Sequence, residues 1–134
     1  MPIGQAMIIC DAVWRDSATG KVFILGAFSN ISARAIPCRH PAICVYTAIT
    51  NCHGDTPIVL SLVYVDPDAT EDEEVGRWEQ TVPVPDPLIV AEGTFALQNV
   101  VFAKEGEYRF KLDSGGEPML ERRLTVQLIG DRHG

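Results

Sequence analysis

Short apolar segments rich in β-branched residues recur about every ten residues along this chain, separated by Pro, Gly, Asn and Asp. No long segment places apolar residues at i, i+3, i+4 and i+7, the spacing of an amphipathic helix. Regularly spaced short strands that end at turn residues are typical of β-sandwiches. We therefore predict an all-β fold: a two-sheet antiparallel β-sandwich, immunoglobulin-like, with about seven to nine strands.

The length of 134 residues suits one hydrophobic core. A composition of 46% hydrophobic and 22% charged residues is ordinary for a packed protein. We expect residues 1–134 to form a single sandwich domain, with residues 130–134 as a flexible tail.

Three segments carry the more detailed structural predictions. The runs 7–14 and 21–28 flank the turn residues 16–20 and predict a hairpin. The Pro-rich segment 82–87, VPVPDP, cannot donate a regular hydrogen-bond ladder, so we expect it to cross between the sheets. Residues 37–41, PCRHP, have proline at both ends and predict a loop at a sheet edge or a connection.

The segment GEYRFKLD alternates apolar and charged residues and predicts a strand with one buried face. Its residues Gly106, Tyr108 and Phe110 resemble the corner between strands E and F of immunoglobulin-like domains, where a tyrosine bonds back to the backbone. Those domains often carry a cysteine at the position of Phe110. The resemblance therefore implies a structural role for these three residues and no inter-sheet disulfide at this point.

A wider resemblance covers most of the chain. The segments CDAVWRDSATGKVFILGAF, Pro-x-x-His-Pro at residues 37–41, VDPD at residues 65–68 and GEYRFKL are similar to an uncharacterised bacterial family of small β-sandwich proteins. This resemblance implies the same fold and a bacterial, cytoplasmic protein. It implies no activity, because none is assigned to that family.

The net charge of −7 and the pI near 4.8 argue against nucleic acid as a partner, because the phosphate backbone would be repelled. The N-terminus does not resemble a signal peptide, and no apolar run approaches the roughly 18 residues of a membrane helix. We therefore expect a cytoplasmic protein that does not bind membranes. In that reducing compartment its four cysteines should be free thiols.

Two groups of residues could hold a metal ion. Cysteine and histidine are zinc ligands, and they cluster at Cys38, His40, Cys52 and His53, with Cys44 between them. The paired C-x2-C spacing of zinc motifs is missing, which favours structural roles for them. Asp66, Asp68 and Asp72 offer oxygen ligands for calcium, but the EF-hand pattern fails and a solvated turn is the simpler interpretation. We expect no cofactor.

Candidates for catalysis and binding are few. Cys52, His53 and Asp55 offer a nucleophile, a base and an orienting group, but neighbours at a strand end seldom reach the geometry of a triad. We therefore expect no catalytic residues. Trp14 and Trp78 are candidates for an interaction surface, since tryptophan is enriched at binding hot spots, although core packing is the alternative for both.

These observations favour a non-enzymatic protein-interaction or assembly module. An open sandwich has sheet edges and faces through which it can bind a protein, including a second copy of itself. The alternatives are a metal-binding domain, with zinc or calcium at the groups above, and thirdly an enzyme of unknown class.

Overall fold

The computed structural model describes residues 1–129, and all regular structure in this part of the chain is β-strand. The predicted tail, residues 130–134, lies outside the described residues. The strands are β1 (Ile3–Arg15), β2 (Val22–Ala27), β3 (Asn30–Ala33), β4 (Cys38–Thr50), β5 (Thr56–Val65), β6 (Glu73–Val82), β7 (Ala91–Phe102), β8 (Gly106–Ser114) and β9 (Glu117–Leu128).

The strands form two sheets. The four-stranded sheet A has the order β2-β1-β4-β7, and the five-stranded sheet B has the order β3-β9-β8-β5-β6. All pairs are antiparallel except β3 with β9, which is parallel. The predicted two-sheet β-sandwich is confirmed, and the number of strands agrees with the expected range.

Alternating side chains of both sheets fill the space between them. Ile43 and Val45 of β4 meet Leu60 of β5 and Phe110 of β8 in one cluster of buried residues. Full burial of such a side chain stabilises the fold by about 1.5–3 kcal/mol. The alternation in β8, seen in the sequence, places Tyr108, Phe110 and Leu112 in this core.

Asn99 reverses the alternation within β7. Before it, Phe95 and Leu97 are buried, whereas after it Val100 and Phe102 are buried. Asn99 has a φ of 53°, in the left-handed region that asparagine tolerates better than most residues. This single left-handed residue turns the end of β7 so that Phe102 closes the core.

The segment after β6 crosses between the sheets, because β6 belongs to sheet B and β7 to sheet A. The prediction for the Pro-rich segment is therefore confirmed. The prediction of a loop at residues 37–41 is wrong from Cys38 onward, because β4 already begins there. Pro41 is tolerated in the strand because this part of β4 pairs only with β7, the pairing with β1 beginning at Cys44.

No helix in residues 1–129 is long and apolar enough to cross a membrane.

Candidate functional site

The end of β1 and all of β2 form a hairpin that folds back over the outside of sheet A. Ala6 of β1 lies in one row with Ala48 of β4 and Glu92 of β7. At about 3.3 Å per residue, a straight β1 would carry Arg15 about 30 Å beyond that row. Instead, the Arg15 guanidinium lies 2.9 Å from the Glu92 carboxylate. We call this returning segment, residues 10–27, the outer hairpin.

Polar contacts attach the underside of the outer hairpin to sheet A. Arg15 donates to Glu92, and the Tyr46 hydroxyl donates to the other carboxylate oxygen of Glu92. Burial raises the pKa of Glu92, but the hydrogen bonds from Tyr46 and Arg15 outweigh it, so that the net pKa is lowered. Burial and the bond to Glu92 raise the pKa of Tyr46 to about 12. Glu92 is therefore an anion held between two donors.

Cys10 lies where the hairpin leaves the sheet. It is opposite Cys44 on β4 and opposite Ala27 on β2, and its side chain is fully buried. Burial, together with the nearby Cys44 and Asp11, raises the pKa of its thiol to about 11. This cysteine is therefore a neutral, packed side chain at neutral pH and a poor nucleophile.

The outer face of the hairpin is apolar and exposed. Trp14 is paired with Phe23, and Ala12 with Leu25, so that these side chains share one face. Trp14, Phe23 and Leu25 are 54%, 46% and 51% exposed, and the rings of Trp14 and Phe23 lie 5.2 Å apart. We call this group, Ala12, Trp14, Phe23 and Leu25, the hairpin face.

The four strands at the sheet edges differ in how they are protected against pairing. β6 carries Glu73, Glu74, Arg77 and Glu79, and its pairing with β5 has a shift in register. β3 has only four residues. On β7, the backbone oxygen of Thr94 accepts a bond from the Gln80 side chain. β2 has the sequence VFILGA, without a charge. Charges, irregular pairing and short length protect edges. β2 carries no charge, and its pairing with β1 is regular from Val22 to Leu25, ending before Gly26 with its φ of 67°.

Trp78, the second tryptophan candidate, is placed differently from Trp14. It lies on β6, is half-buried and packs against the core cluster. Its ring covers Gly76, where an added Cβ would lie 2.5 Å from the ring. Trp78 therefore fits the alternative of core packing, whereas Trp14 belongs to an exposed surface.

The four zinc candidates lie at opposite ends of β4. Cys38 and His40 are at its beginning, whereas Cys52 and His53 follow its end. The 13 residues of β4 separate the two pairs by about 40 Å. The structure therefore does not bring these four side chains together. Within residues 1–129, no three His, Cys, Asp or Glu side chains come close enough to share a metal ion.

The candidate nucleophile and base are not paired either. The Cys52 thiol is buried and donates to the backbone oxygen of Thr50, while His53 and Asp55 are exposed. At the other end of β4, Cys38 and His40 line an open cleft of about 410 Å³ together with Asp11 and Phe28. The His40 ring packs against Phe28 in a tilted arrangement, with 5.7 Å between the ring centroids. No hydrogen bond of the described residues joins the Cys38 thiol to His40.

The acidic segment between β5 and β6 forms a solvent-facing turn. Asp66 accepts a bond from the backbone N–H of Asp68, which fixes the turn itself. Asp72 lies 3.5 Å from the Lys111 ammonium group of β8. Two of the three calcium candidates are thus engaged within the protein's own fold, in contacts that a charged turn explains.

The corner before β8 has the arrangement that its sequence suggested. The Tyr108 hydroxyl donates to the backbone oxygen of Lys104 at 2.7 Å and accepts from its N–H at 3.3 Å. Gly106 has a φ of 133°, and an added Cβ there would lie 3.1 Å from the Tyr64 hydroxyl. Phe110 is fully buried in the core. These residues stabilise the corner and the core of the sandwich, and they are not part of the hairpin face.

Sequence reasoning identified Trp14 but missed Phe23 and Leu25. Both were assigned to an apolar return strand, and nothing in the alternation showed that this strand leaves the sheet. A usable signal was the absence of charge from Val22 to Ala27 in a strand next to a hairpin turn, because an edge strand without charge is rare unless it is covered.

Two packed sheets and a corner tyrosine make this a β-sandwich protein of immunoglobulin-like architecture. The chain belongs to a family of unknown function, DUF6941, whose sequence profile matches residues 5–127. Comparison with curated proteins gives no match.

Solved structures are similar in fold only. An immunoglobulin-like protein from Pseudomonas aeruginosa is 16% identical, with a TM-score of 0.48; the match covers 95% of this chain and 97% of that one. A β-glucosidase from Listeria innocua is 10% identical, with a TM-score of 0.49; the match covers 96% of this chain and 16% of the enzyme. The chain thus spans about one sixth of that enzyme's length.

Proposed function

We propose that this protein is a non-enzymatic protein-interaction module and that it binds its partner through the outer hairpin. The observation that carries the proposal is the exposure of Trp14, Phe23 and Leu25 on one face of the outer hairpin. Aromatic side chains of this kind supply much of the binding energy at protein interfaces.

The way in which the hairpin is held supports a binding role. The Arg15–Glu92–Tyr46 contacts attach its underside to sheet A. The hairpin face is therefore ordered before a partner binds. A preordered surface loses less conformational entropy on binding than a mobile loop does. The exposed apolar side chains are therefore favourable for association even though they cost solubility.

The polar residues support the non-enzymatic part of the proposal. The cleft at Cys38 and His40 is open, and the described hydrogen bonds include none between a nucleophile and a base there. Family membership and the sandwich fold are compatible with a binding module. The four free cysteines fit a reducing compartment, which favours the cytoplasm.

Site-specific photocrosslinking in the native cells tests this proposal. A benzophenone amino acid in place of Phe23 should give a reproducible protein adduct, because Phe23 lies in the hairpin face. The matched control is the same substitution at Val101, which is 47% exposed on β7, away from the hairpin. Adducts that are absent at Phe23, or equal at both positions, would overturn the proposal.

A further inference from the structure

We propose that the partner of the outer hairpin is a second copy of this chain, bound by antiparallel pairing of the two β2 strands about Ile24. This inference rests on the proposed function and adds the partner and the register. The resulting dimer would join the two A sheets edge to edge across a two-fold axis.

The backbone of β2 offers groups for such pairing. The Asp16 N–H donates to the Lys21 oxygen at 2.9 Å, which makes this a hydrogen-bonded pair of the hairpin. Hydrogen-bonded pairs alternate along an antiparallel ladder, so Phe23 and Leu25 direct their backbone groups at β1. Val22 and Ile24 then direct their N–H and C=O groups to the free edge. In residues 1–129, no other strand pairs with that edge.

The pairing is complementary to itself. With Ile24 opposite Ile24 of the second copy, each Phe23 faces the other copy's Leu25. The extended pairing ends there, because Gly26 has a φ of 67°. The two Phe23–Leu25 contacts lie on the hairpin face beside Trp14, so that the apolar side chains of both copies form one continuous surface. The two Lys21 residues lie beyond opposite ends of this pairing, six residue positions or about 20 Å apart.

Charge also favours a copy of this chain at β2 rather than at another edge. Each chain has a net charge of −7, so most surfaces of two copies repel each other. Pairing through β6 would bring together strands that each carry Glu73, Glu74 and Glu79. Pairing through β2 brings no like charges into contact, because the strand has none.

Sedimentation of the purified protein over a range of concentrations tests the pairing. We expect a monomer–dimer equilibrium for the wild type, and for Leu25→Lys a dimer that is weaker by about tenfold or more, because two cross-strand pairs lose their apolar contact. Val75→Lys and Val101→Lys are matched controls, since both residues are similarly exposed on other edges. They should dimerise like the wild type. All three positions are exposed, and circular dichroism checks that each variant is folded.

Disulfide trapping tests the register. Facing residues that are not hydrogen-bonded have Cα atoms about 4.5 Å apart, within the range for a disulfide. A mixture of Phe23→Cys and Leu25→Cys should therefore form a covalent dimer under mild oxidation with glutathione disulfide. Each variant alone should form no more than the wild type does.

The outcomes separate this inference from the proposed function. A wild type that stays monomeric at its highest soluble concentration would overturn the second-copy inference, as would equal weakening by the control variants. Trapping by Leu25→Cys alone would overturn the register. If the chain is monomeric while Phe23 still crosslinks to a different protein in cells, the proposed function stands and only this inference fails.

Discussion

Tyr108 is the residue with the clearest structural contribution. Its ring is buried, and its hydroxyl makes two bonds to the backbone of Lys104. We expect Tyr108→Phe to lower the free energy of unfolding by about 1–2 kcal/mol, because the Lys104 backbone loses its partner while the ring remains. Urea denaturation followed by tryptophan fluorescence measures this.

Tyr64→Phe is the matched control for that change. The Tyr64 hydroxyl donates to the Glu105 backbone oxygen at 3.2 Å, at an exposed site where water can replace it. Its loss should therefore cost less than about 0.5 kcal/mol. If Tyr108→Phe and Tyr64→Phe lower the free energy of unfolding equally, the buried corner hydrogen bond stabilises the fold no more than the exposed one does.

Tyr46 makes the stability of the protein sensitive to alkaline pH. Its pKa is raised from 10.0 to about 12 in the folded protein. The unfolded chain therefore loses this proton first, so the contribution of Tyr46 to stability is complete below pH 10 and is lost between pH 10 and 12. We expect the free energy of unfolding to fall less steeply over this range in Tyr46→Phe. Urea denaturation at several pH values measures both slopes, and identical slopes would contradict the assignment.

At the scale of elements, the outer hairpin should be the part of sheet A that loosens most easily. Its underside is held by Arg15, which is about half exposed, so the ion pair alone contributes about 1 kcal/mol or less. We expect Arg15→Met to increase amide hydrogen exchange within residues 10–27 with little change in global stability. Mass-spectrometric exchange of overlapping peptides measures this.

Arg77→Met provides the control for the hairpin. Arg77 is exposed to a similar degree and pairs with Glu74 and Glu79 on β6. It should leave exchange in residues 10–27 unchanged. A uniform increase across both sheets in Arg15→Met would instead show that the ion pair supports the whole sandwich.

The elements differ in how far the sequence determined them. β8 alternates strictly between core and solvent, so its buried face and the corner at Tyr108 were readable from the sequence. The hairpin at residues 16–20 was also readable from its turn residues. Its return across sheet A was not, because Arg15 and Glu92 are 77 positions apart and long-range pairing leaves no local signal. For the same reason, the sequence did not show that β4 begins at Cys38, because this part of the strand is formed by pairing with the distant β7.

For the whole molecule, the distribution of charge follows from the order of strands. The topology places the charged β6 at one edge of sheet B and the uncharged β2 at one edge of sheet A. The net charge of −7 opposes association of two copies, and the proposed contact lies at the uncharged edge strand β2. A sequence with the same composition but with charge spread evenly over its edges would have no preferred surface for association.

This distribution predicts the salt dependence of the dimer. If the two copies meet at β2, no ion pair forms in the contact, and the main electrostatic effect is repulsion between two chains with a charge of −7. Because the Debye length shortens from about 10 Å at 0.1 M to about 3 Å at 1 M salt, added salt should tighten the dimer. Sedimentation at low and high sodium chloride measures the change, with Leu25→Lys as the control, at a protein concentration at which its weakened dimer dissociates. A dimer that weakens with salt would be held by ion pairs, and would therefore use a surface other than β2.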